Sequence, residues 1–148
     1  MVRPTVLDRA AIEALIPHAG AMVLLDAVER WDDERIVCTT ESHRRAGNPL
    51  ARDGRVPAIC GVEYGGQAMA LHGALTSGEG SPQGLVANVR NVVLAAPTLD
   101  SDHPMTVEAE RLAGSAEGVI YRFALSAAGH ALVSGQAMVR LLGGDEGP

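Results

Sequence analysis

Apolar residues follow a helical spacing near the N-terminus and then form short runs typical of strands. In 7–15 they recur three or four positions apart, which predicts a short helix that Pro17 ends. Residues 22–30 and 35–40 are rich in Val, Leu, Ile and Thr, and the polar segment 31–34 joins them. This pattern predicts a β-hairpin.

A second and longer helical pattern begins near Ala58 and continues to about Ser77. The loop before it, 43–57, contains glycines and prolines that rule out a long regular element. The helix contains two adjacent glycines, Gly65 and Gly66. Because each interior glycine costs about 1 kcal/mol relative to alanine, we expect close packing or function to outweigh helix propensity here.

Four strand-like runs complete the chain after a glycine-rich loop at 78–84. They cover 85–95, 105–113, 119–127 and 131–142. Short links between consecutive strands predict an antiparallel meander. The sequence therefore predicts one α+β domain over 1–148, in which a sheet of five to six strands curls around a long helix. The last residues, 143–148, are expected to be a disordered tail.

Composition narrows the function. The chain of 148 residues is 47% hydrophobic but only 3% aromatic, so the core must be mainly aliphatic. All 12 basic residues are arginine, and the formal net charge is -6. An acidic chain without an aromatic platform is not expected to bind nucleic acid.

Four arginines nevertheless lie within one short stretch of the predicted loop. They are Arg44, Arg45, Arg52 and Arg55. Such a cluster could contact an acidic partner, and a solvated loop with no binding role is the alternative.

The two cysteines, Cys38 and Cys60, form no C-x-x-C pattern, and the N-terminus does not resemble a secretory signal. A cytoplasmic location is therefore expected. Charges or prolines interrupt every apolar run before it reaches the roughly 18 residues of a membrane span, so no membrane association is expected.

No motif of a metal or nucleotide site is present. The chain contains no G-x-S-x-G elbow, P-loop or H-E-x-x-H spacing, so neither a metal nor a cofactor is expected. Four histidines are interpreted as surface or satisfied polar groups: His43, His72, His103 and His130.

Two segments carry a more specific pattern. LIPHAGAMVLLDAV occupies 15–28, and PAICGVEYGGQAMA occupies 57–70. Together they resemble the hotdog-fold 3-hydroxyacyl-acyl-carrier-protein dehydratases, whose motifs are L-P-H-R-x-P-F-L-L-V-D-R and P-G-x-x-x-x-E-x-x-x-Q-A. The matching positions are His18, Asp26, Pro57, Glu63, Gln67 and Ala68.

The chain departs from this pattern inside the same motifs. Ala19 replaces the arginine, Ala21 replaces the second proline, and Ala58 replaces the glycine that opens the helix. The segment G-H-F-P, expected before Pro57, is absent. The sequence is closer to a divergent branch, the dehydratase-like proteins of aryl-polyene gene clusters.

The resemblance implies a hotdog fold and dehydration of a 3-hydroxyacyl group. His18 would be the base and Glu63 the acid, each from a different protomer of a dimer. A neutral histidine suits proton abstraction near pH 7. On the residues alone, His18 could equally be an exposed loop histidine, and Glu63 an acid favoured by the helix dipole near the start of a helix expected to be buried.

Further roles follow from the predicted helix. Its first amides, those of Ala58 and Ile59, could bind the thioester oxygen as an oxyanion site. Gln67 could orient Glu63 or could be a packed core amide. Gly66 could line a channel for the pantetheine arm, although we expect packing to be the main reason for the glycine pair.

The resemblance also implies partners. We expect a homodimer or higher hotdog oligomer that acts on a pantetheine-linked substrate of acyl carrier protein, with the arginine cluster as the carrier contact. The alternatives are a hotdog thioesterase, which usually lacks the Pro-His turn, and a non-catalytic partner subunit that binds the carrier. Acyl chain length is not predicted.

Overall fold

The computed structural model describes residues 7–16, 20–77 and 83–142. Within them, two α-helices and six β-strands follow one another in the predicted order. The helices are α1 (Arg9–Leu15) and α2 (Gly61–Ser77), and the strands are β1 (Ala27–Trp31), β2 (Arg35–Thr40), β3 (Gln83–Leu94), β4 (Met105–Gly114), β5 (Gly118–Ala127) and β6 (His130–Leu142). The expected tail, 143–148, and most of the 78–84 loop lie outside the described residues.

The strands form one antiparallel sheet in the order β1-β2-β4-β5-β6-β3. The meander prediction is correct for β4 to β6 and wrong for β3, which pairs with β6 at the edge of the sheet instead of with β4. The cause is the link 95–104, which runs beside the start of α2. The Ala58 amide donates to the Pro97 carbonyl at 3.0 Å, and the Leu99 amide donates to the Val56 carbonyl at 2.8 Å.

The first strand is shorter than predicted. The pattern indicated a strand over 22–30, but β1 begins only at Ala27. A 3-10 turn, Gly20–Met22, precedes an extended segment whose Leu24 amide and carbonyl bond to side chains. Residues 23–25 are apolar and buried, as they would be in a strand. Their composition therefore could not show whether this segment is a strand or an extended segment outside the sheet.

Helix α2 packs across the sheet against β2 to β6, and the expected curled sheet around one long helix is confirmed. The contact is closest at the single phenylalanine, Phe123 on β5. A Cβ added to Gly65 would lie 2.8 Å from the Phe123 ring, and one added to Gly135 on β6 would lie 2.9 Å from the far end of that ring. The ring therefore lies in a slot between two glycines, and a side chain at either position would overlap it.

The two adjacent glycines of α2 have different surroundings. Gly65 is buried against Phe123, which confirms the packing prediction at that position. Gly66 is half-buried, and a Cβ added there would meet nothing within 4 Å. Gly73 has the same open surroundings. Packing among the described residues therefore does not explain Gly66 or Gly73.

Alanine substitutions at the two positions should change stability in opposite directions. Gly65→Ala gains about 1 kcal/mol of helix propensity but forces a methyl into Phe123, and overpacking typically costs about 1–3 kcal/mol. Gly66→Ala gains the propensity alone. We expect chemical denaturation to show a net loss of up to about 2 kcal/mol for Gly65→Ala and a gain of about 0.5–1 kcal/mol for Gly66→Ala. Equal changes in stability for the two variants would contradict the close packing of the Phe123 ring against Gly65.

Candidate active site

The predicted acid lies where the central helix begins. A 3-10 turn, Ala58–Cys60, leads directly into α2, and Glu63 is in the first turn of the helix. Its neighbour Tyr64 is buried, whereas the Glu63 side chain is exposed on the side of α2 that faces away from the sheet. The helix was expected to be buried; in the single chain its sheet-facing side is buried and the side that carries Glu63 is not.

Small residues continue from Glu63 along the same side of α2. Gly66, Ala70 and Gly73 follow at intervals of three and four residues, and all are exposed or half-buried. At its N-terminal end this open face is extended by Ile59, whose side chain is 53% exposed. The face thus carries one carboxylate on a surface otherwise made of small and apolar groups.

Gln67 does not bind Glu63. Its side chain is buried, its Oε1 accepts a hydrogen bond from the Leu24 amide at 2.8 Å, and its Nε2 donates to the Met22 carbonyl at 2.5 Å. Of the two interpretations left open by the sequence, the core amide is correct. Gln67 thereby ties α2 to the segment that follows His18 in the chain.

His18 itself lies outside the described residues, as do Pro17 and Ala19. The residues on either side of this tripeptide are fixed. Ile16 is buried and its amide donates to the Ile12 carbonyl at 3.2 Å, which closes α1. After the tripeptide, the Gly20 amide donates to Glu13 at 3.0 Å, and the Gly20 carbonyl accepts from Arg9 at 2.9 Å.

A buried chain of hydrogen bonds supports the same segment from the other side. Asn48 donates to the Tyr64 hydroxyl at 3.1 Å, the hydroxyls of Tyr64 and Ser42 lie 2.9 Å apart, and Ser42 donates to the Leu24 carbonyl at 2.7 Å. Thr40 donates to the same carbonyl. Burial raises the pKa of Tyr64 more than the bonds from Ser42 and Asn48 lower it, so its hydroxyl stays protonated and can donate.

Sequence reasoning did not identify this hydrogen-bond chain, because Ser42 and Asn48 lie in a stretch interpreted only as a loop. The sequence contains only weak evidence for these hydrogen bonds. Ser, Thr and Asn near glycines and prolines usually indicate turns, and nothing in their spacing shows that they converge on one carbonyl.

Asp26, one of the motif positions, lies at the end of the segment between Gly20 and β1 and binds groups from other parts of the chain. Its carboxylate accepts from Arg45 at 2.6 Å and from the Glu41 amide at 2.8 Å, and it lies 3.4 Å from Arg9. Burial alone would raise the Asp26 pKa, but these hydrogen bonds and positive charges together outweigh it and hold the pKa below its ordinary value.

The two amides predicted to bind the thioester oxygen, those of Ala58 and Ile59, differ in whether they are already hydrogen-bonded. The Ala58 amide is already bonded to the Pro97 carbonyl, so that part of the prediction is wrong. The Ile59 amide makes no hydrogen bond within the described part of the chain. The link 95–104 therefore leaves one of the two predicted N–H groups available.

The arginine cluster is partly neutralised within the chain. Arg45 pairs with Asp26 at 2.6 Å and Arg44 with Glu41 at 2.9 Å. Arg55 lies 3.9 Å from Asp100, and both side chains are well exposed. Among the described residues no acidic partner of Arg52 is found. Arg52 and Arg55 are thus the members of the cluster most available to an acidic protein.

The remaining histidines lie away from this arrangement. His72 is fully buried: its Nε2 donates to the Asp32 carbonyl at 2.9 Å, and its Nδ1 lies 2.7 Å from the Tyr121 hydroxyl. Burial lowers the pKa of His72 despite the bond to Asp32, and burial raises the pKa of Tyr121 to about 12, so both remain neutral.

His43 bonds to the His103 carbonyl at 3.1 Å, and burial lowers its pKa. The side chains of His103 and His130 are exposed. The prediction of surface or satisfied groups holds for His72, His103 and His130, whereas the buried Nδ1 of His43 has no partner within hydrogen-bond geometry among the described residues, although the Ser101 backbone is near enough to affect its pKa. Within the described ranges, no group of three or more His, Cys, Asp or Glu side chains could hold a metal ion.

Residues 10–141 match a family described as ApeP dehydratase. The chain belongs to this ApeP-like family. The match spans both motifs and confirms the resemblance to the dehydratase-like branch. Among curated proteins, none matches the chain.

Solved structures agree with the fold of an ApeP-like protein. The dehydratase heterocomplex ApeI:P from Xenorhabdus doucetiae shares 21% identity, with a TM-score of 0.77, over 90% of this chain and 91% of that chain. AziG from S. sahachiroi shares 17% identity, with a TM-score of 0.66, over 86% and 98%. A hypothetical thioesterase with coenzyme A from Streptococcus pneumoniae TIGR4 shares 13%, with a TM-score of 0.62, over 78% and 84%. These likenesses show the hotdog fold.

Asp26→Asn should destabilise this ApeP-like protein in a pH-dependent way. Because the folded-state pKa of Asp26 is lowered, its contribution is complete above the ordinary value of about 4 and is lost as pH falls through the folded pKa. We expect denaturation at pH 7 to show a loss of about 1–2 kcal/mol, which shrinks as the pH falls below the ordinary value of about 4 and through the lowered folded-state pKa.

The two neighbouring arginines provide a matched comparison. Arg45→Gln removes the partner of Asp26 and should reproduce part of the loss, whereas Arg44→Gln removes only an exposed pair with Glu41 and should cost well under 1 kcal/mol. A loss for Asp26→Asn that does not shrink as the pH is lowered from 7 to below about 4 and onward would exclude the ion pairs of Asp26 as its source.

Proposed function

We propose that this chain dehydrates a 3-hydroxyacyl thioester, carried on acyl carrier protein, to the 2-enoyl thioester in fatty-acid or polyene-type biosynthesis. The observation that carries the proposal is the family match over residues 10–141, which includes both His18 and Glu63. A cytoplasmic setting, where such carriers are used, is part of the proposal. None of the described helices has the length and apolar composition to cross a bilayer.

The two side chains suit the two proton transfers of this reaction. His18 takes the proton from C2 as the C2–H bond breaks, and negative charge develops on the thioester oxygen. Glu63 gives its proton to the C3 hydroxyl, which leaves as water while the C2–C3 double bond forms. The proton gained by His18 and that lost by Glu63 are then re-equilibrated with solvent, so no further reactant is needed.

The exposed position of Glu63 supports a site shared between two chains. A carboxyl on an open helix face has no enclosing wall among the described residues of its own chain, and elimination is favoured where water is excluded. A second hotdog protomer packed on the open face of α2 would supply that wall together with its own His18. The site would then contain Glu63 of one protomer and His18 of the other.

The edge strand β3 supports pairing through the sheet. It is a long edge, and its exposed apolar residues include Val93, 58% exposed, and Leu94, 47% exposed. The opposite edge, β1, is partly covered because Val28 exchanges hydrogen bonds with Leu7. An uncovered apolar edge favours association with another strand, so we assign β3 to the protomer interface.

The same open face offers a path for the acyl-pantetheine arm. Gly66, Ala70 and Gly73 leave space beside Glu63, and the Ile59 amide is available to bind the thioester oxygen. Arg52 and Arg55 would contact the acidic carrier.

A second candidate is a subunit that acts only in a complex with a different hotdog chain. It is favoured by the similarity to a structure described as a dehydratase heterocomplex. In that case the open face of α2 and the β3 edge would bind the other chain, and activity would appear only when both are present.

Replacing either catalytic side chain should remove enoyl product. General acid or base catalysis typically contributes about 10²–10⁴ in rate, so His18→Ala and Glu63→Gln should each lower turnover of a 3-hydroxyacyl carrier protein by roughly that factor. Intact-mass spectrometry measures the product directly as loss of one water.

His130→Ala is the matched control, because His130 is exposed and distant in sequence from both motifs, and its turnover should equal wild type. Release of the free acid by the wild-type chain would indicate a thioesterase. No change with the chain alone, followed by water loss after addition of a second hotdog subunit, would establish the heterocomplex. Full turnover in both site variants would exclude the assigned roles.

A charge on the β3 edge should break the assembly. The measurement is light scattering after size-exclusion chromatography. Wild type should have about twice the 15.4 kDa mass of one chain, whereas Val93→Glu should have the mass of one chain. The reason is that the new carboxylate would be buried at the interface. Leu112→Glu changes an exposed residue on an interior strand, β4, and should remain a dimer. A Val93→Glu protein that stays dimeric would show that β3 is not the interface.

A further inference from the structure

Three neighbouring strands of the sheet contain positive charge and no negative charge. Strands β5, β6 and β3 lie side by side at one end of the sheet. Together they contain Arg122, Arg140 and Arg90 but no Asp or Glu, although the chain as a whole has 18 acidic residues and a net charge of -6. A surface on these strands can therefore attract an acidic partner that the molecule as a whole would repel.

The strand register places Arg122 and Arg90 on the outer face of the sheet, which is turned away from α2. On β5 the buried residues Tyr121 and Phe123 contribute to the core, and Arg122 between them is exposed. Arg122 lies directly opposite Gln136 of β6, and Gln136 lies directly opposite Arg90 of β3. Because directly opposite residues point to the same face, the two arginines project from one row, about 10 Å apart.

An apolar row runs beside this row of arginines. Ile120 lies directly opposite Met138, and the two side chains are 37% and 38% exposed. Ala113 extends the apolar row onto β4, and Asn88 ends it on β3. Arg140 lies two residues beyond Met138 on β6, so it points to the same face and borders the row on the other side. We call the apolar row and its flanking arginines the outer strip, which comprises Arg90, Ile120, Arg122, Met138 and Arg140.

The arginines of the outer strip are only partly neutralised. Arg122 shares the carboxylate of Glu110 with Arg35, at 2.7 Å and 3.2 Å, so two positive charges face one negative charge. Arg90 and Arg140 are exposed, and neither forms an ion pair with any of the described residues. The outer strip therefore keeps a net positive charge beside its apolar row.

We propose that the outer strip is a docking site for an acidic amphipathic helix of another protein. The row from Ala113 to Asn88 crosses four strands, or about 14 Å, which a helix of about ten residues spans. A helical turn rises about 5.4 Å and the strands lie about 4.8 Å apart, so one apolar side chain per turn can contact the row. Acidic residues on the two flanks of the helix would then pair with the arginines on the two sides of the row.

The outer strip is separate from the candidate active site. It lies on the opposite face of the sheet from α2, which carries Glu63, so the proposal does not rest on the proposed function. Pairing of β3 with a second protomer would use the backbone edge of that strand and leave the side chains on its outer face exposed. The outer strip therefore stays available in a dimer.

The charge and the strand pairing favour an acidic helix over other occupants. Strands β5 and β6 are each paired on both sides, so an added β-strand has no backbone edge to bind there. A second copy packed strip against strip would bring arginines against arginines, and like charges that face each other weaken association. An anionic membrane would face the molecule as a whole, whose net charge of -6 repels it. A docked helix, in contrast, contacts only the strip itself.

Binding of a designed peptide to the full-length chain tests the proposal. The probe is a synthetic helical peptide of about 14 residues, with leucine on one face and glutamate on both flanks. In protein labelled with ¹³C at the methionine and isoleucine methyl groups, the peptide should shift the signals of Met138 and Ile120 and spare those of the buried Ile12 and Ile36. The affinity should fall about tenfold between about 0.05 M and 0.5 M salt, because salt screens the pairs of arginine and glutamate.

Substitutions in the outer strip should weaken the binding of this peptide. Arg90→Gln combined with Arg140→Gln removes two exposed charges that no described residue pairs with, so the fold is kept, and the Kd should rise about tenfold. Met138→Glu should remove binding, because its carboxylate repels the glutamates and replaces the apolar contact. Arg52→Gln combined with Arg55→Gln is the matched control: it removes two exposed arginines from the loop before α2 and should leave the Kd unchanged.

Several results would overturn the proposal. A peptide that does not bind would exclude a docked helix. Equally tight binding of a scrambled peptide, or of one with glutamine in place of glutamate, would show that neither the helical pattern nor the charge is recognised. A loss of binding only in the variant of Arg52 and Arg55 would place the acidic partner on the loop. Methyl shifts with phosphatidylserine vesicles but not with the peptide would indicate a membrane surface, and a smaller mass for Met138→Glu in light scattering would indicate a contact between copies.

Discussion

The distance between the central helix and the sheet is set by one phenylalanine ring held between two glycines. Phe123 fills the space that side chains at Gly65 and Gly135 would occupy, so α2 approaches the strands more closely than any larger pair would permit. The position of every inward-facing polar group on α2 depends on this approach. If the helix were raised by the thickness of a methyl group, Gln67 could no longer reach the backbone of residues 22–24 with both ends of its amide.

The inner face of α2 combines this apolar slot with three buried polar side chains. Tyr64, Gln67 and His72 each bond to a group on a different part of the chain, and each is thereby satisfied. Hydrogen bonds in a low-dielectric interior are strong when made and costly when lost. An aliphatic core alone would allow the helix to slide or rotate, whereas these bonds allow one position along the sheet.

The outer face of the same helix has no such hydrogen bonds to the part of the chain that the structure describes. It presents Glu63 beside glycine and alanine, and β3 leaves an apolar edge. The chain thus builds a rigid support on one side of the helix and leaves the other side for a second protein and a substrate. Packing against Phe123 explains the glycine at position 65 despite its low helix propensity, whereas no contact among the described residues calls for glycine at position 66.

The order of the elements and the family could be predicted from the sequence, because helical periodicity, strand runs, prolines and the two motifs are local properties of the chain. It could not show that β3 crosses to β6, that the Ala58 amide is already used, or that Gln67 binds residues 22–24 instead of Glu63. These facts depend on contacts between residues far apart in the chain, as between Pro97 and Ala58 or Gln67 and Leu24. Only the tertiary structure decides them, since the same local pattern is compatible with several ways of packing one helix on one sheet.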